Sequence, residues 1–456
     1  MSRWEQQAAD AQAADDRVAA DAVYAQILTR APEHDIDPTL DRVRVVCDML
    51  GDPQHAYRVV HLTGTNGKTS TARMVERLLR ELGLRTGRFT SPHLTRANER
   101  IAIDGEPISD ARFVAVWDDV RPYVEMVDAS HGRLSFFEVF TVMAFAAFAD
   151  APVDVAVVEV GLGGRWDATN VADGQVAVVT PVALDHERYL GAALTSIAAE
   201  KAGIVKPGAT LVLAAQEPVV EQIVLARAAE VHGTTGRVVR EGVDVAVLDR
   251  VPAVGGQLLS LRGLGGVYTE VYLPLFGEHQ AHNALLALVA TESLVTGGAA
   301  LDPDVVEQAF AGVSSPGRLE VVRSSPTVLV DGAHNPAAAR ALVAAVDDAF
   351  ALTRVVGVVG VMADKDVEGI LGELEPRLAE VVVTWVGGAR ATDPDDLAEV
   401  AREVFGPDRV HVEPRLDDAL DLAVQRAEGE VDRGSAVLVT GSILLVAQAR
   451  ALLGRP

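Results

Sequence analysis

The sequence predicts an α/β protein in two wound units. The first is a P-loop-containing, doubly wound parallel sheet with a small antiparallel subdomain; the second is a Rossmann-like α/β domain. Three features carry this reading. From Tyr57 onward, short β-rich runs alternate with segments of helical apolar period; a glycine bend at 61–71 joins one run to one helix; and the rhythm breaks at 242–276 before restarting beyond residue 320.

With 456 residues, 49% hydrophobic and 23% charged, the chain has material for two or three domains with separate cores. The expected division is 1–36, an N-terminal tail and helix; 37–312, the phosphate-loop domain; and 313–456, the second domain. The opening stretch is rich in Ala, Asp and Gln, as in a frayed or helical tail, and "VYAQILTR" and "LDRVRVVCDMLG" after it read as helices. "YRVVHL", "DVAVVEV", "QVAVVTPV" and "TLVLAA" read as strands bounded by Gly, Pro or Asp. Between 242 and 276, "VDVAVLDRV", "GQLLSLRGL" and "GVYTEVYLPL" are split by Gly-rich turns, as in an antiparallel meander, and "HQAHNALLALVATESLV" then reads as a helix. The Pro-Gly pair in "AGVSSPGRLE", 311–320, marks the domain boundary, after which "TVLVDGAHN", "VVGVVGVM", "EVVVTWV", "RVHVEP" and "AVLVTGS" restart the α/β rhythm.

The single cysteine, Cys47, excludes an internal disulfide. The first residues lack the apolar core of a secretory leader and are too acidic for a transit peptide, so a cytoplasmic protein is expected. The longest apolar run, "FTVMAFAAFA" at 140–149, is about half of the ~20 residues needed to cross a bilayer, and reads as a buried helix with no membrane partner. Asp and Glu outnumber Lys and Arg 65 to 40, and a net charge of −25 without a basic stripe argues against nucleic acid as a partner. An anionic small ligand needs only a local positive pocket.

"HLTGTNGKTST", 61–71, supplies one. Backbone N–H groups at a helix start are unpaired and carry the positive end of its dipole, so a strand, glycine bend and helix form an anion cradle. Gly64 and Gly67 let the main chain curl around phosphate oxygens, Lys68 brings a cation to the terminal phosphates, and the Thr69 hydroxyl is placed for Mg²⁺. Leu62 stands where the full phosphate-loop pattern has its first glycine. A mere glycine turn with a capping threonine is the bland alternative, but it does not account for lysine and hydroxyl falling together in this strand and helix setting. The guanine-reading Asn-Lys-x-Asp string is missing, which favours ATP over GTP.

Ligands of parallel sheets bind at the carboxyl ends of the strands. Glu159 ends "DVAVVEV" just before "GLGGRWDATN", 161–170, and its carboxylate has the hardness for Mg²⁺; capping the loop is the alternative. Asp185 and His186 follow the next strand, and Lys201 lies in "AAEKAGIVKPG", where an ion pair with Glu200 is the structural reading.

Nine strings in order, "GTNGKTS", "FTSPHL", "NERI", "GLGGRWDATN", "DHERYLG", "EKAGI", "HNALLA", "PGRLE" and "DGAHNP", resemble the folylpolyglutamate synthase and dihydrofolate synthase family, a branch of the Mur ligase superfamily. The resemblance runs from about residue 37 to the C-terminus, with "GKTS" where the family often has "GKG". It implies an ATP- and Mg²⁺-dependent amide ligase that joins L-glutamate to dihydropteroate and/or to the glutamate tail of a reduced folate. In this reading 37–312 corresponds to the Mur central domain and 313–456 to its glutamate-binding C-terminal domain, with 311–317 as a hinge.

By the same resemblance, Asn66, Gly67, Lys68, Thr69 and Ser70 hold the nucleotide's phosphates, and Asn283, Arg318 and Asp331 serve the nucleotide. Ser91, Glu159, His186 and Thr69 are implied as ligands of two Mg²⁺ ions. Lys201 is implied to carry a carbamate, which turns a cation into a metal-binding anion. Lys68, Lys201, His186 and Glu159 form the implied catalytic set. The pterin side matches Thr39, Leu40, Asp41 and Arg42, then Ser135, Phe136, Phe137 and Glu138, and the loop at Trp166, Asp167 and Ala168; His334 and Ser442 are implied for glutamate. A monomer is the family expectation. Two rival functions remain: a Mur-type ligase acting on a cell-wall precursor, disfavoured by the short N-terminal region, and a non-catalytic nucleotide switch, which has no need of a second α/β domain.

Overall fold

The first sheet of the computed structural model contains β1 (Arg58–Thr63), β2 (Thr86–Phe89), β3 (Ile101–Ile103), β4 (Glu106–Pro107), β5 (Val155–Glu159), β6 (Val176–Val179), β7 (Thr210–Leu213) and β8 (Arg237–Arg240). Their spatial order is β4-β3-β2-β5-β1-β6-β7-β8, parallel from β2 to β8, with β3 and β4 adding an antiparallel edge. The structure describes residues 3–32, 37–191, 193–233, 235–388, 390–428 and 434–455. Part of the expected 1–36 segment, residues 1–2 and 33–36, therefore lies outside the described residues.

Side-chain alternation gives each strand two buried faces. In β1 and β5, Val60, Leu62, Val155 and Val157 pack with Met74, Val75 and Leu78 of the helix Lys68–Glu81 and with Leu285, Leu286 and Val289 of the helix Glu278–Val295. Val59, Ala156 and Val158 pack on the opposite face against Trp117, Phe140, Phe145 and Phe148. These come from the helices Asp110–His131 and Phe136–Asp150; the second is the buried helix expected from the apolar run at 140–149. The opening segment forms one helix, Arg3–Leu28, whose Ala20 and Ile27 join that second core while Tyr24 packs edge-on against His93 and Phe136.

The expected meander is β9 (Ala246–Ala253), β10 (Gly256–Arg262) and β11 (Val267–Leu273), antiparallel throughout, with its inner face, Leu259, Leu261, Tyr268 and Val271, on the first core. The second sheet contains β12 (Glu320–Ser324), β13 (Thr327–Val330), β14 (Arg354–Val359), β15 (Glu380–Val383), β16 (Val410–Val412) and β17 (Ser435–Thr440), ordered β12-β13-β17-β14-β15-β16 and parallel except for β12. It too is covered on both faces. Among the described residues no helix is long and apolar enough to cross a membrane.

The carboxyl ends of both sheets open onto one cavity of about 1040 Å³, lined by segments following β1, β5 and β6 and by segments following β13, β14 and β17. Two parallel sheets thus aim their ligand-binding ends at a common space.

Candidate active site

The bend after β1 is shaped by glycine. Gly64 (φ 148°) and Gly67 (φ 89°) are both left-handed, and a Cβ at either would lie 1.8 Å from Thr180 Oγ1 or 2.4 Å from Asn283 Oδ1. Only glycine fits both the conformation and the space. Gly67 caps the helix Lys68–Glu81, and the Lys68 ammonium donates to the carbonyls of Gly64 (2.9 Å) and Thr65 (3.1 Å). Burial lowers the Lys68 pKa against the pull of Glu159 and Asp185.

Thr69 and Glu159 meet at the floor. The hydroxyl is 2.9 Å from each carboxylate oxygen, and the Ser91 backbone N–H also donates to the carboxylate. Burial raises the Glu159 pKa, opposed by Lys68 and by these hydrogen bonds. Among the described residues no three His, Cys, Asp or Glu side chains gather to hold a metal. A carboxylate and a hydroxyl beside a phosphate cradle nevertheless fit Mg²⁺, which takes one or two protein oxygens and completes its shell with phosphate and water.

Lys201, on the helix Leu194–Ala202, reaches the same bend and donates to the Gly64 carbonyl at 2.8 Å. Its pKa is lowered to about 7 by burial and then by the Lys68 charge, so much of it is a neutral amine near pH 7. The structure thus turns Lys201 into the site, and its hydrogen bond goes to the bend, not to Glu200. His186 is left-handed (φ 53°) at the start of a short helix, and its pKa is lowered to about 3, first by burial; the ring is neutral, the form that binds metals.

Ser70 Oγ lies 3.0 Å from Ser315 Oγ in the boundary segment and takes a 3.4 Å bond from Gln280, which in turn accepts from Asn283. Asn66 exchanges two hydrogen bonds with Asn335, at 3.2 and 3.1 Å. Both ends of the phosphate loop therefore touch residues beyond the expected 312 boundary. Arg318 lines the cavity, and Asp331, its pKa raised by burial, accepts the Leu319 and Ala333 N–H groups, so it shapes the loop beside Arg318. His334 hydrogen-bonds the Gly332 carbonyl at 2.8 Å, and Ser442 caps the helix Ile443–Leu452; both line the cavity.

At the far end Arg42 and Glu138 form a buried ion pair at 3.0 Å, extended by Asp37 at 2.6 Å. Thr39, Ser135, Phe137, Trp166 and Ala168 line the wall with them. Leu40 and Asp41 do not: Leu40 precedes the helix Asp41–Met49, and the Asp41 side chain is 78% exposed beside Arg44. Phe136 turns from the cavity to stack with Phe140 at 4.8 Å under the Arg100 guanidinium. Asp167 lines the cavity but spends its carboxylate on its own loop, accepting from the N–H groups of Leu162 and Thr169 and from the Thr169 hydroxyl; burial raises its pKa to about 6.

Three residues outside the expected set complete the centre. The Asp185 carboxylate accepts from Lys365 Nζ at 2.6 Å and from Asn335 Nδ2 at 3.2 Å, and stands 3.6 Å from His334 Nε2. Burial pushes its pKa up, but the neighbouring His334, His186 and Lys365 outweigh that and hold it well below the usual carboxylate range. Lys365 follows the strand run "VVGVVGVM" just as Glu159 ends its own, so its place past a parallel strand was the available signal.

A phosphate loop and a second α/β domain sharing one cavity define a Mur-type ligase. The chain matches the Mur ligase middle domain over residues 62–291 and the Mur ligase glutamate ligase domain over 317–443. It is 50% identical over 451 residues to the dihydrofolate synthase/folylpolyglutamate synthase of Mycobacterium tuberculosis, covering 93% of this chain and 92% of that one. It is 33% identical to the protein of the same name from Escherichia coli, covering 90% of each. The fold superposes on the M. tuberculosis folylpolyglutamate synthase complexed with ADP and AMPPCP with a TM-score of 0.92 at 49% identity, covering 97% and 99% of the two chains. It matches E. coli FolC in complex with DHPP and ADP with a TM-score of 0.79 at 30% identity, covering 92% and 94%. The chain belongs to the dihydrofolate synthase/folylpolyglutamate synthase family and is a ligase.

Proposed function

We propose that the protein joins the amine of L-glutamate to the carboxylate of dihydropteroate and/or to the glutamate tail of a reduced folate, with ATP converted to ADP and phosphate. One observation carries this reading: a single cavity sets the Lys68, Thr69 and Glu159 cradle between an aromatic, Arg42-bearing end and the strand ends of the second domain that bear His334 and Ser442. Phosphate donor, acid and amine have adjoining places. The relatives whose descriptions name ADP, AMPPCP and DHPP support these classes of ligand.

A carboxylate does not react with an amine directly because oxide is too poor a leaving group. In-line attack of the substrate carboxylate on the γ-phosphorus gives an acyl phosphate and ADP, with the loop N–H groups and Lys68 facing the charge that develops. The neutral glutamate amine then attacks the acyl carbon, gives up one N–H proton to water, and phosphate leaves with the C–O bonding pair. Arg318 and Asn283 steady the nucleotide, while His334 and Ser442 orient the amino acid. Trp166, Phe137 and the Arg42–Glu138 pair seat the pterin-bearing acid.

Bound magnesium supplies positive charge to the phosphate oxygens. Thr69, Glu159 and Ser91 would hold one ion, and His186 with a Lys201 carbamate a second. The neutral Lys201 amine adds to CO₂ and gives up a proton to form that carbamate.

The test is incubation of the full chain with ATP, labelled glutamate and either dihydropteroate or a tetrahydrofolate. Labelled conjugate with one ADP per bond is the expected result; ADP release indifferent to the folate would point to a nucleotide switch. A cell-wall ligase would use neither acid.

A further inference from the structure

We propose that Lys365 is a positioning residue for ligation: through its ion pair with Asp185 it latches the second domain over the phosphate loop. The proposal rests on the ligase reading above and adds to it a specific contact between the domains. Asp185 follows β6 of the first sheet and Lys365 follows β14 of the second, so the pair exists only while the two sheets face each other. It is short, 2.6 Å, and its side chains are 6% and 7% exposed.

Taking two charges out of water is costly, and their attraction repays it only when further hydrogen bonds complete the geometry. Asp185 has them, from the His186 backbone N–H at 2.8 Å and Asn335 Nδ2 at 3.2 Å. When the domains part, water solvates both ions, so the pair favours the closed arrangement only where its partners are aligned.

The latch acts on what lies beside it. Lys365 Nζ is 3.4 Å from His186 Nε2, and His186 directly follows Asp185 in the chain, so fixing the carboxylate fixes the adjoining left-handed turn. Asn335 shares its amide between Asp185 and Asn66, which ties the phosphate loop to the same point of the second domain. Lys365 thus aligns the amine-binding strand ends with the phosphate loop without joining the chemistry. An acyl phosphate is lost to water in an open site, so alignment governs turnover more than nucleotide binding.

The test uses the full chain with Lys365→Met, Lys365→Arg, Asp185→Asn and the Lys365→Met/Asp185→Asn pair. Steady-state ligation is measured together with solution scattering in the presence of magnesium and AMPPCP. For Lys365→Met we expect kcat to fall about 10²-fold, the size of effect that an ångström of misplacement produces, with KM for ATP within about twofold of wild type. Lys365→Arg should regain most of the loss.

The double variant should be no worse than the poorer single one, because both remove the same contact. The radius of gyration with AMPPCP should exceed that of wild type for Lys365→Met and not for Lys365→Arg. Additive losses with an unchanged radius would show that Lys365 meets substrate itself. A lowered melting temperature with unchanged kcat would make it a mere strut; either result overturns the proposal. The scattering arm reads the latch even if wild-type ligation of folates fails, so the two readings fall separately.

Discussion

The two ends of the cavity are built by different means. At the nucleotide end the shape is set by main chain and by charges with nowhere to go: Gly64 and Gly67 admit no side chain, Lys68 and Lys201 both bond the Gly64 carbonyl, and Glu159 is closed in by a hydroxyl and an N–H. At the end proposed for the pterin the wall is made of side chains from separate helices and loops, with Arg42 and Glu138 bracing each other and Trp166 on a loop. One end cannot give without losing its backbone path, whereas the other can repack. The first should therefore govern chemistry and the second should govern which acid is taken.

The largest break in this contrast is Lys68→Ala, which removes the cation proposed to face the transferred phosphoryl group. Ligation should fall about 10³-fold or more while the protein stays folded, since the helix start keeps Gly67 as its cap. Near-normal turnover by a coupled ADP assay would dissociate the loop from the reaction.

Lys201→Ala should cost nearly as much, and here the contrast sharpens: what it removes is the proposed carbamate, so short carboxylic acids such as acetate or formate should restore part of the rate, and they should restore none to Lys68→Ala. Loss without rescue would leave Lys201 a plain hydrogen-bonding lysine.

At the other end, Trp166→Ala should raise KM for the pterin-bearing acid about tenfold, the scale of one lost aromatic contact, with a smaller change in kcat. Asp41→Ala, a few residues from the same wall but pointing into water, should change neither constant. Equal effects from both would mean that the wall is misdrawn.

The smallest effect concerns stability. His61, in β1, has its Nε2 2.9 Å from the Thr169 hydroxyl, and burial lowers its pKa to about 3. Between that value and the ordinary 6.5 the unfolded chain binds more protons than the folded one, so stability rises with pH and is lost as pH falls through this window. At pH 5 the loss from this one ring is about 2 kcal/mol, and urea midpoints should drop between pH 7 and pH 5. In His61→Gln the drop should shrink.

What could be read from the chain followed the same division. The phosphate loop and Glu159 were legible because strand, glycine and charge lie together within each run, whereas Lys201 sits in a helix and its role came from the family resemblance alone; most strand runs of both sheets stood out as continuous apolar stretches. β2, β3, β4, β8 and β12 did not: in β2, "TGRF" has a glycine where Phe148 packs and an arginine buried against Glu76, so neither alternation nor apolar character marks it as a strand. The Asp185–Lys365 pair spans 180 residues, and only the meeting of two sheets makes it visible. Along the Arg42 wall the sequence named segments that line the cavity but not the facing side chains, since the turn of a helix decides that Arg42 and Phe137 look inward while Asp41 and Phe136 do not.

The claim that the bound acid is phosphorylated before the amine arrives can be tested with ¹⁸O. With both oxygens of the substrate carboxylate labelled, an acyl phosphate must leave one of them on phosphorus when the amide forms. The account predicts one ¹⁸O in each inorganic phosphate released during ligation; phosphate free of label, with amide bonds still being made, would contradict it.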